Sequence, residues 1–206
     1  MPDRYPIPAG LGRSEFNEKN SVFTATAGPA ATGEEAEAFI KKVAAEFVGA
    51  NHNAWAYLIG FGPLATCACH NDGEPGGTAG PPALAALQLS GLGDVVVVVT
   101  RYFGGIKLGT GGLARAYGRA AREAVAATPR GERVAMVNLS ITLDYHFHDT
   151  VRRLLEPNEA RLEHTDYGAE VRFFVVIPVD RLEGFTAAVR EATWGRAILG
   201  ARSPGL

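Results

Sequence analysis

Three short polar segments carry most of the chemistry this chain can offer. They are His52-Asn53, Asp72-Gly73-Glu74, and the run from Arg101 to Gly112, which reads RYFGGIKLGTGG. Each lies at or near the end of a predicted strand, and strand ends with their loops are common ligand sites in α/β folds. Brought together, they would gather two carboxylates, an imidazole, an amide, an arginine and a lysine. As catalytic candidates, His52 could act as acid or base, and Asp72 and Glu74 could hold Mg²⁺ with a bridging phosphate. The same two carboxylates could instead neutralise Arg101 and Lys107, the ordinary fate of charges around loops. Asn53 and Tyr102 read as polar support. No nucleophile motif such as GxSxG accompanies these segments.

The third segment has the physics of an anion cradle. Gly104, Gly105, Gly109, Gly111 and Gly112 put five glycines into nine positions, with Lys107 and Thr110 among them. Glycine lets the backbone approach a ligand closely, and successive N–H groups can form a concave anion site. A helix predicted to begin near Gly111 adds a dipole that favours negative charge. The run is neither a Walker A loop nor GxGxxG, and the alternative is a tight strand-to-helix turn that needs glycine for packing. Beyond it, Arg115, Arg119 and Arg122 share one helix face. That face is either solvated or a contact for the phosphates of RNA or another polyanion.

Cys67-Ala68-Cys69-His70 invites a metal reading, but a zinc site wants a wider cysteine knuckle and a second ligand pair. The two cysteines are expected as small buried apolar residues. His146 and His148 face different ways at a helix start and read as surface or capping residues.

The elements that must position these groups follow from pattern. Val95 to Val99 is an unbroken β-branched run, so it is a strand covered on both faces. Residues 1–12, rich in proline and glycine, read as a loose lead-in. Strands at 13–19 and 21–27 form a hairpin about residues 18–20. Thr32 with Glu35 is a capping box that opens a helix to about Val48. A strand ends near Gly60, a short one covers 64–69, and a polar loop spans 71–82. Helices follow at 83–89 and 113–127, the latter with Leu113, Tyr117, Ala120, Ala121 and Ala124 on one face. Residues 129–132 look like a linker. Beyond it the order strand, short helix, hairpin, helix, strand is ferredoxin-like βαββαβ. The expected domains are 1–131 and 132–206.

Composition narrows the classes. A formal net charge of −2 excludes a wholly basic nucleic-acid protein, so a nucleic-acid role needs a local patch. Two cysteines on one short segment suit a reducing cytoplasm. The sequence reads as having no signal peptide and no membrane span.

The motifs NHNAWAY (51–57), NDGEPGGTAGPP (71–82) and VVVVVTRYFGGIKLGTGGLARAY (95–117) together closely resemble the YigZ/IMPACT family. The resemblance covers about residues 13–127, and the second domain resembles the small C-terminal domain of the bacterial members. It implies an α+β fold of two domains. The first is an α/β sandwich similar to the second domain of a small-subunit ribosomal protein and to domain IV of elongation factor G. The second is similar to ferredoxin-like domains of that factor. Eukaryotic relatives regulate an initiation-factor kinase pathway through protein binding, a role not carried over here. Two departures stand out. Asn71 and Gly76 replace an aspartate and a serine of the family loop, and Lys19-Asn20-Ser21-Val22-Phe23 is less basic than the family's strand.

Three functional expectations follow. The first is a non-enzymatic, cytoplasmic, translation-associated protein binding RNA, a ribosome-associated component, a nucleotide or phosphate. It would do so through Arg101, Lys107, Thr110 and the glycine-loop amides, extended by Arg115 and Arg119. The second is a Mg²⁺-dependent enzyme acting on a phosphorylated small molecule. The third is a protein-interaction module.

Overall fold

The computed structural model describes residues 2–201, and the chain divides into two compact units, Met1–Arg133 and Val134–Leu206. The first unit holds, in order, β1 (Arg4–Pro8), β2 (Gly12–Glu18), β3 (Ser21–Pro29), α1 (Gly33–Glu46), β4 (His52–Ile59), β5 (Thr66–His70), α2 (Gly80–Gln88), β6 (Val95–Tyr102) and α3 (Gly109–Ala126). It closes at β7 (Arg130–Val134).

Five strands form one sheet in the order β2-β3-β6-β4-β5. The valine strand β6 is at its centre, antiparallel to both β3 and β4. All five valines are fully buried, as the unbroken apolar run requires. The alternation of a strand divides them between two faces. Val95, Val97 and Val99 join Ala83 and Leu87 of α2 and Tyr117 and Ala121 of α3. Val96 joins Ala36 of α1, with Phe39 and Ile40 beside it. Burying each such side chain contributes about 1.5–3 kcal/mol, which makes β6 the fixed reference for everything attached to its ends.

Local signals account for the helix starts. The Thr32 hydroxyl accepts the Glu35 N–H at 3.1 Å, and the Glu35 carboxylate reaches back to the Ala31 N–H at 2.7 Å. α3 begins at Gly109, two residues before the predicted start, and Leu108 ahead of it provides no side-chain cap. Its predicted apolar face is buried throughout. The β2–β3 hairpin turns through Lys19 and Asn20, both left-handed.

Several expectations are corrected. The lead-in and the linker are not loose: β1 and β7 pair as a two-stranded ribbon. Proline suits such edge positions, where a missing N–H goes unnoticed. The buried Asp94 holds this end of the fold. It accepts from the Tyr5 hydroxyl at 2.9 Å, the Gly60 N–H at 2.8 Å and Arg133 at 3.1 Å. Arg101 and Tyr102 belong to β6 rather than to the loop beyond it. Cys67 is exposed and Cys69 only partly buried, because β5 is an edge strand.

The second unit comprises β8 (Met136–Leu143), α4 (His148–Arg153), β9 (Arg161–Tyr167), β10 (Val171–Pro178), α5 (Val179–Ala192) and β11 (Ile198–Ala201). Its antiparallel sheet has the order β11-β8-β10-β9. This is the ferredoxin-like arrangement, with Ile141, Phe173, Phe185 and Val189 in its core. His146 is exposed, and the half-buried His148 pairs with Asp149 at 2.8 Å. Among the described residues no helix is long and apolar enough to cross a membrane.

Candidate functional site

The C-terminal end of β6 delivers Arg101 into the first unit's interior. Arg101 is 4% exposed, so its charge needs a partner where it lies. Glu74 supplies one: Arg101 Nη1 donates to Glu74 Oε1 at 2.6 Å. The Tyr117 hydroxyl, from α3, donates to the same oxygen at 2.7 Å. Arg101 Nη2 donates to the Ser21 hydroxyl at 3.2 Å. The guanidinium also sits between two rings, 5.4 Å from the centroid of Phe23 and 5.3 Å from that of Phe103. Burial, and next the hydrogen bond to Glu74, push the Tyr117 hydroxyl's pKa well above its ordinary value. One polar atom of this network is left over, since Arg101 Nε is buried with no hydrogen-bond partner.

Asp72 takes a different part from Glu74. Its backbone is left-handed, which presents both its carbonyl and its carboxylate to the start of β4. The carboxylate accepts the Asn53 N–H at 2.6 Å, and the carbonyl oxygen lies 2.7 Å from His52 Nδ1. A carbonyl can only accept, so the His52 proton is on Nδ1, and Nε2 points toward Glu74, 3.9 Å from its Oε1. Asn53 Oδ1 accepts from the Thr100 hydroxyl at 2.7 Å. Asn71 Oδ1 accepts the N–H groups of Ala79 and Gly80 at 3.1 and 3.0 Å, tying the polar loop to the start of α2. Both carboxylates are thus engaged inside the protein. Among the described residues no cluster of three or more His, Cys, Asp or Glu side chains could hold a metal ion.

These groups surround a cleft of about 410 Å³, lined by Asn51, His52, Glu74, Pro75, Arg101, Phe103, Lys107, Leu108, Gly109, Thr110 and Leu113. The volume falls within the range of small-ligand pockets, about 300–1,000 Å³. Of the residues singled out by sequence, His52, Glu74, Arg101, Lys107, Gly109 and Thr110 meet here. Lys107 has no ion-pair partner among the described residues. The first N–H groups of α3, at Gly109 to Gly112, have no carbonyl within the helix to bond.

Arg115 and Arg119 do not join them. They line a second groove of about 270 Å³ with Phe16, Glu18, Lys19 and Gly112, and Leu108 borders both hollows. Arg119 is occupied there, donating to Glu123 at 2.8 Å and lying 4.2 Å from the Phe16 ring centroid. Gly104 does not line the cleft: a side chain on it would be driven into the backbone of Asn20, and its N–H donates to Ser21 Oγ at 3.2 Å. Tyr102 reaches the Val48 carbonyl at 3.4 Å, outside the cleft.

Sequence reasoning did not single out Ser21, Asn51 or Phe103, nor the polar role of Tyr117. Ser21 and Asn51 lie inside the quoted stretches, and their small polar side chains hold backbone and guanidinium in place. Phe103 sits in a glycine-rich run with no periodicity to mark its ring as a wall.

Comparison with known proteins places this cleft in a family. The Impact N-terminal domain profile matches residues 19–125. The chain belongs to the IMPACT family. Residues 141–196 match a domain of unknown function, DUF1949. IMPACT family member YvyE of Bacillus subtilis is 35% identical over 90% of this chain and 85% of its own length. IMPACT family member YigZ of Escherichia coli is 34% identical over 79% of this chain and 80% of its own. An IMPACT family member of Thermus thermophilus, encoded in a pol 5' region, is 41% identical over 78% and 86%. A solved structure described as "Crystal structure of an hypothetical protein" superposes over 100% of both chains, with a TM-score of 0.69 and 31% identity. The cleft lies wholly within the part matched by the Impact N-terminal domain.

Proposed function

We propose that this IMPACT family protein is a non-enzymatic, translation-associated binding protein whose cleft holds a phosphate group of RNA or a nucleotide. The observation that carries the reading is the meeting of Lys107, the uncapped start of α3 and the inner Arg101 in one hollow. An ammonium without an internal partner and free helix N–H groups both favour an anion. The carboxylates that would oppose one are already bound, Glu74 by Arg101 and Tyr117, and Asp72 by the Asn53 N–H. The same engagement weighs against a Mg²⁺ enzyme, because Glu74 is already charge-paired with Arg101 and Asp72 is tied to the backbone of β4. The likeness of the family to domains of a ribosomal protein and of elongation factor G supports RNA as the source of the phosphate.

The test is fluorescence anisotropy of a labelled single-stranded RNA at several salt concentrations. Lys107→Glu should weaken binding at low salt and flatten the plot of log affinity against log salt by about 0.7 for a lost phosphate contact. An affinity and slope unchanged in this variant would refute the reading. Turnover of phosphoesters by the wild-type protein would move it to the enzyme class.

A further inference from the structure

Phe103 has a position that phosphate binding alone leaves unused. It follows the last residue of β6 and is nearly half exposed, at 45%. Its N–H donates to Asn51 Oδ1 at 2.7 Å, and the next N–H, of Gly104, donates to Ser21 Oγ. Two side chains therefore pin the backbone on either side of the ring. The Arg101 guanidinium lies 5.3 Å from the ring centroid and is itself held by Glu74 and Ser21. The ring thus meets a cation inside the protein and keeps exposed surface on which a further π-surface can stack. The ring lines the same cleft as Lys107 and the start of α3, with apolar Pro75, Leu108 and Leu113 around it. An exposed aromatic ring sharing a cleft with a lysine combines the stacking and electrostatic elements that hold single-stranded nucleic acid.

We infer that Phe103 is a nucleobase platform: the cleft takes a nucleotide unit, its base stacked on Phe103 and its phosphate at Lys107 and the first turn of α3. This assignment rests on the phosphate reading above and extends it from an anion to a nucleotide. A base can stack without regard to sequence, because every base has a π-face. The site therefore selects nucleotides over other phosphoesters and does not choose among RNA sequences.

The experiment compares ribose 5-phosphate with AMP by calorimetry, on wild-type protein, Phe103→Ala, Phe103→Trp and Lys107→Glu. The expected result is that AMP binds more tightly than ribose 5-phosphate. Phe103→Ala should lower AMP affinity about 5- to 150-fold. It should leave ribose 5-phosphate unchanged, and Phe103→Trp should restore the AMP affinity. AMP binding no tighter than ribose 5-phosphate, or Phe103→Ala weakening both alike, would overturn the platform while leaving the phosphate site standing. Failure of both ligands to bind wild type would overturn the platform and the phosphate reading together. A hexamer of oligoadenylate separates the sources. Tighter binding than AMP, still sensitive to Phe103→Ala, supports a base within a strand, and affinity equal to AMP supports a free nucleotide.

Discussion

The central strand β6 is held at each end by a buried carboxylate, and the two clusters are built from the same parts. At its start, Asp94 accepts from the Tyr5 hydroxyl, a backbone N–H and Arg133. At its end, Arg101 donates to Glu74, which also accepts from the Tyr117 hydroxyl. The difference lies in where the guanidinium sits. The Arg133 side chain is 51% exposed and that of Arg101 only 5%. The first cluster is a clasp: its cation can return to water, and its carboxylate gathers β1, the end of β4 and β7. The second commits a cation to the interior, leaves one of its nitrogens without a partner, and opens on a cleft. Similar chemistry can thus close a fold at one place and sit beside a cleft at another. Solvation of the cation distinguishes the two.

Substitutions at the two ends test that distinction. Glu74→Ala strands a buried guanidinium and a buried hydroxyl, and should cost about 3–5 kcal/mol of the first unit's stability. Asp94→Ala leaves a hydroxyl and an N–H unpaired but frees Arg133 to hydrate, so about 1–3 kcal/mol is expected. Urea unfolding of both variants, followed by a probe in the first unit, gives the order. An Asp94 variant hurt more than the Glu74 variant would break the comparison. Smaller still is Tyr117→Phe, which removes one donor to Glu74, at about 1 kcal/mol.

That last variant has a pH signature. The Tyr117 hydroxyl is held above its ordinary value of 10.0, so above that pH the unfolded chain loses a proton that the folded one keeps. Stability from this group is complete below pH 10 and falls as the pH rises further. The wild type should therefore lose stability more steeply above pH 10 than Tyr117→Phe does. Equal alkaline slopes would mean that the hydroxyl is not sequestered as described.

Much of this architecture was legible in the residues. The valine run, the Thr32 capping box, the apolar face of α3 and the βαββαβ order each rest on local pattern, and local pattern survives folding. β1 and β7 were not legible, because prolines that signal a loop are also tolerated on a two-stranded ribbon. In the cleft, residue types announced that His52, Glu74, Arg101 and Lys107 could meet. Which carboxylate would meet which cation was hidden. Asp72 and Glu74 are two residues apart, yet a left-handed backbone at Asp72 sends one carboxylate to an N–H and the other to a guanidinium. Arg115 and Arg119 were grouped with Lys107 by sequence spacing, and the bulk of Leu108 lies between the two hollows they line.

The bare start of α3 has a consequence in time as well as in space. α1 begins under a threonine cap, whereas α3 begins at Gly109 with three glycines in its first four residues and no cap at all. Glycine is a poor helix former and the first-turn amides have no internal acceptor, so this turn opens at little cost. Its amide protons are therefore readily traded for deuterium, and a bound anion would slow that trade. The same turn that makes the helix incomplete when alone makes occupancy of the cleft readable as retained protons at a few adjacent amides.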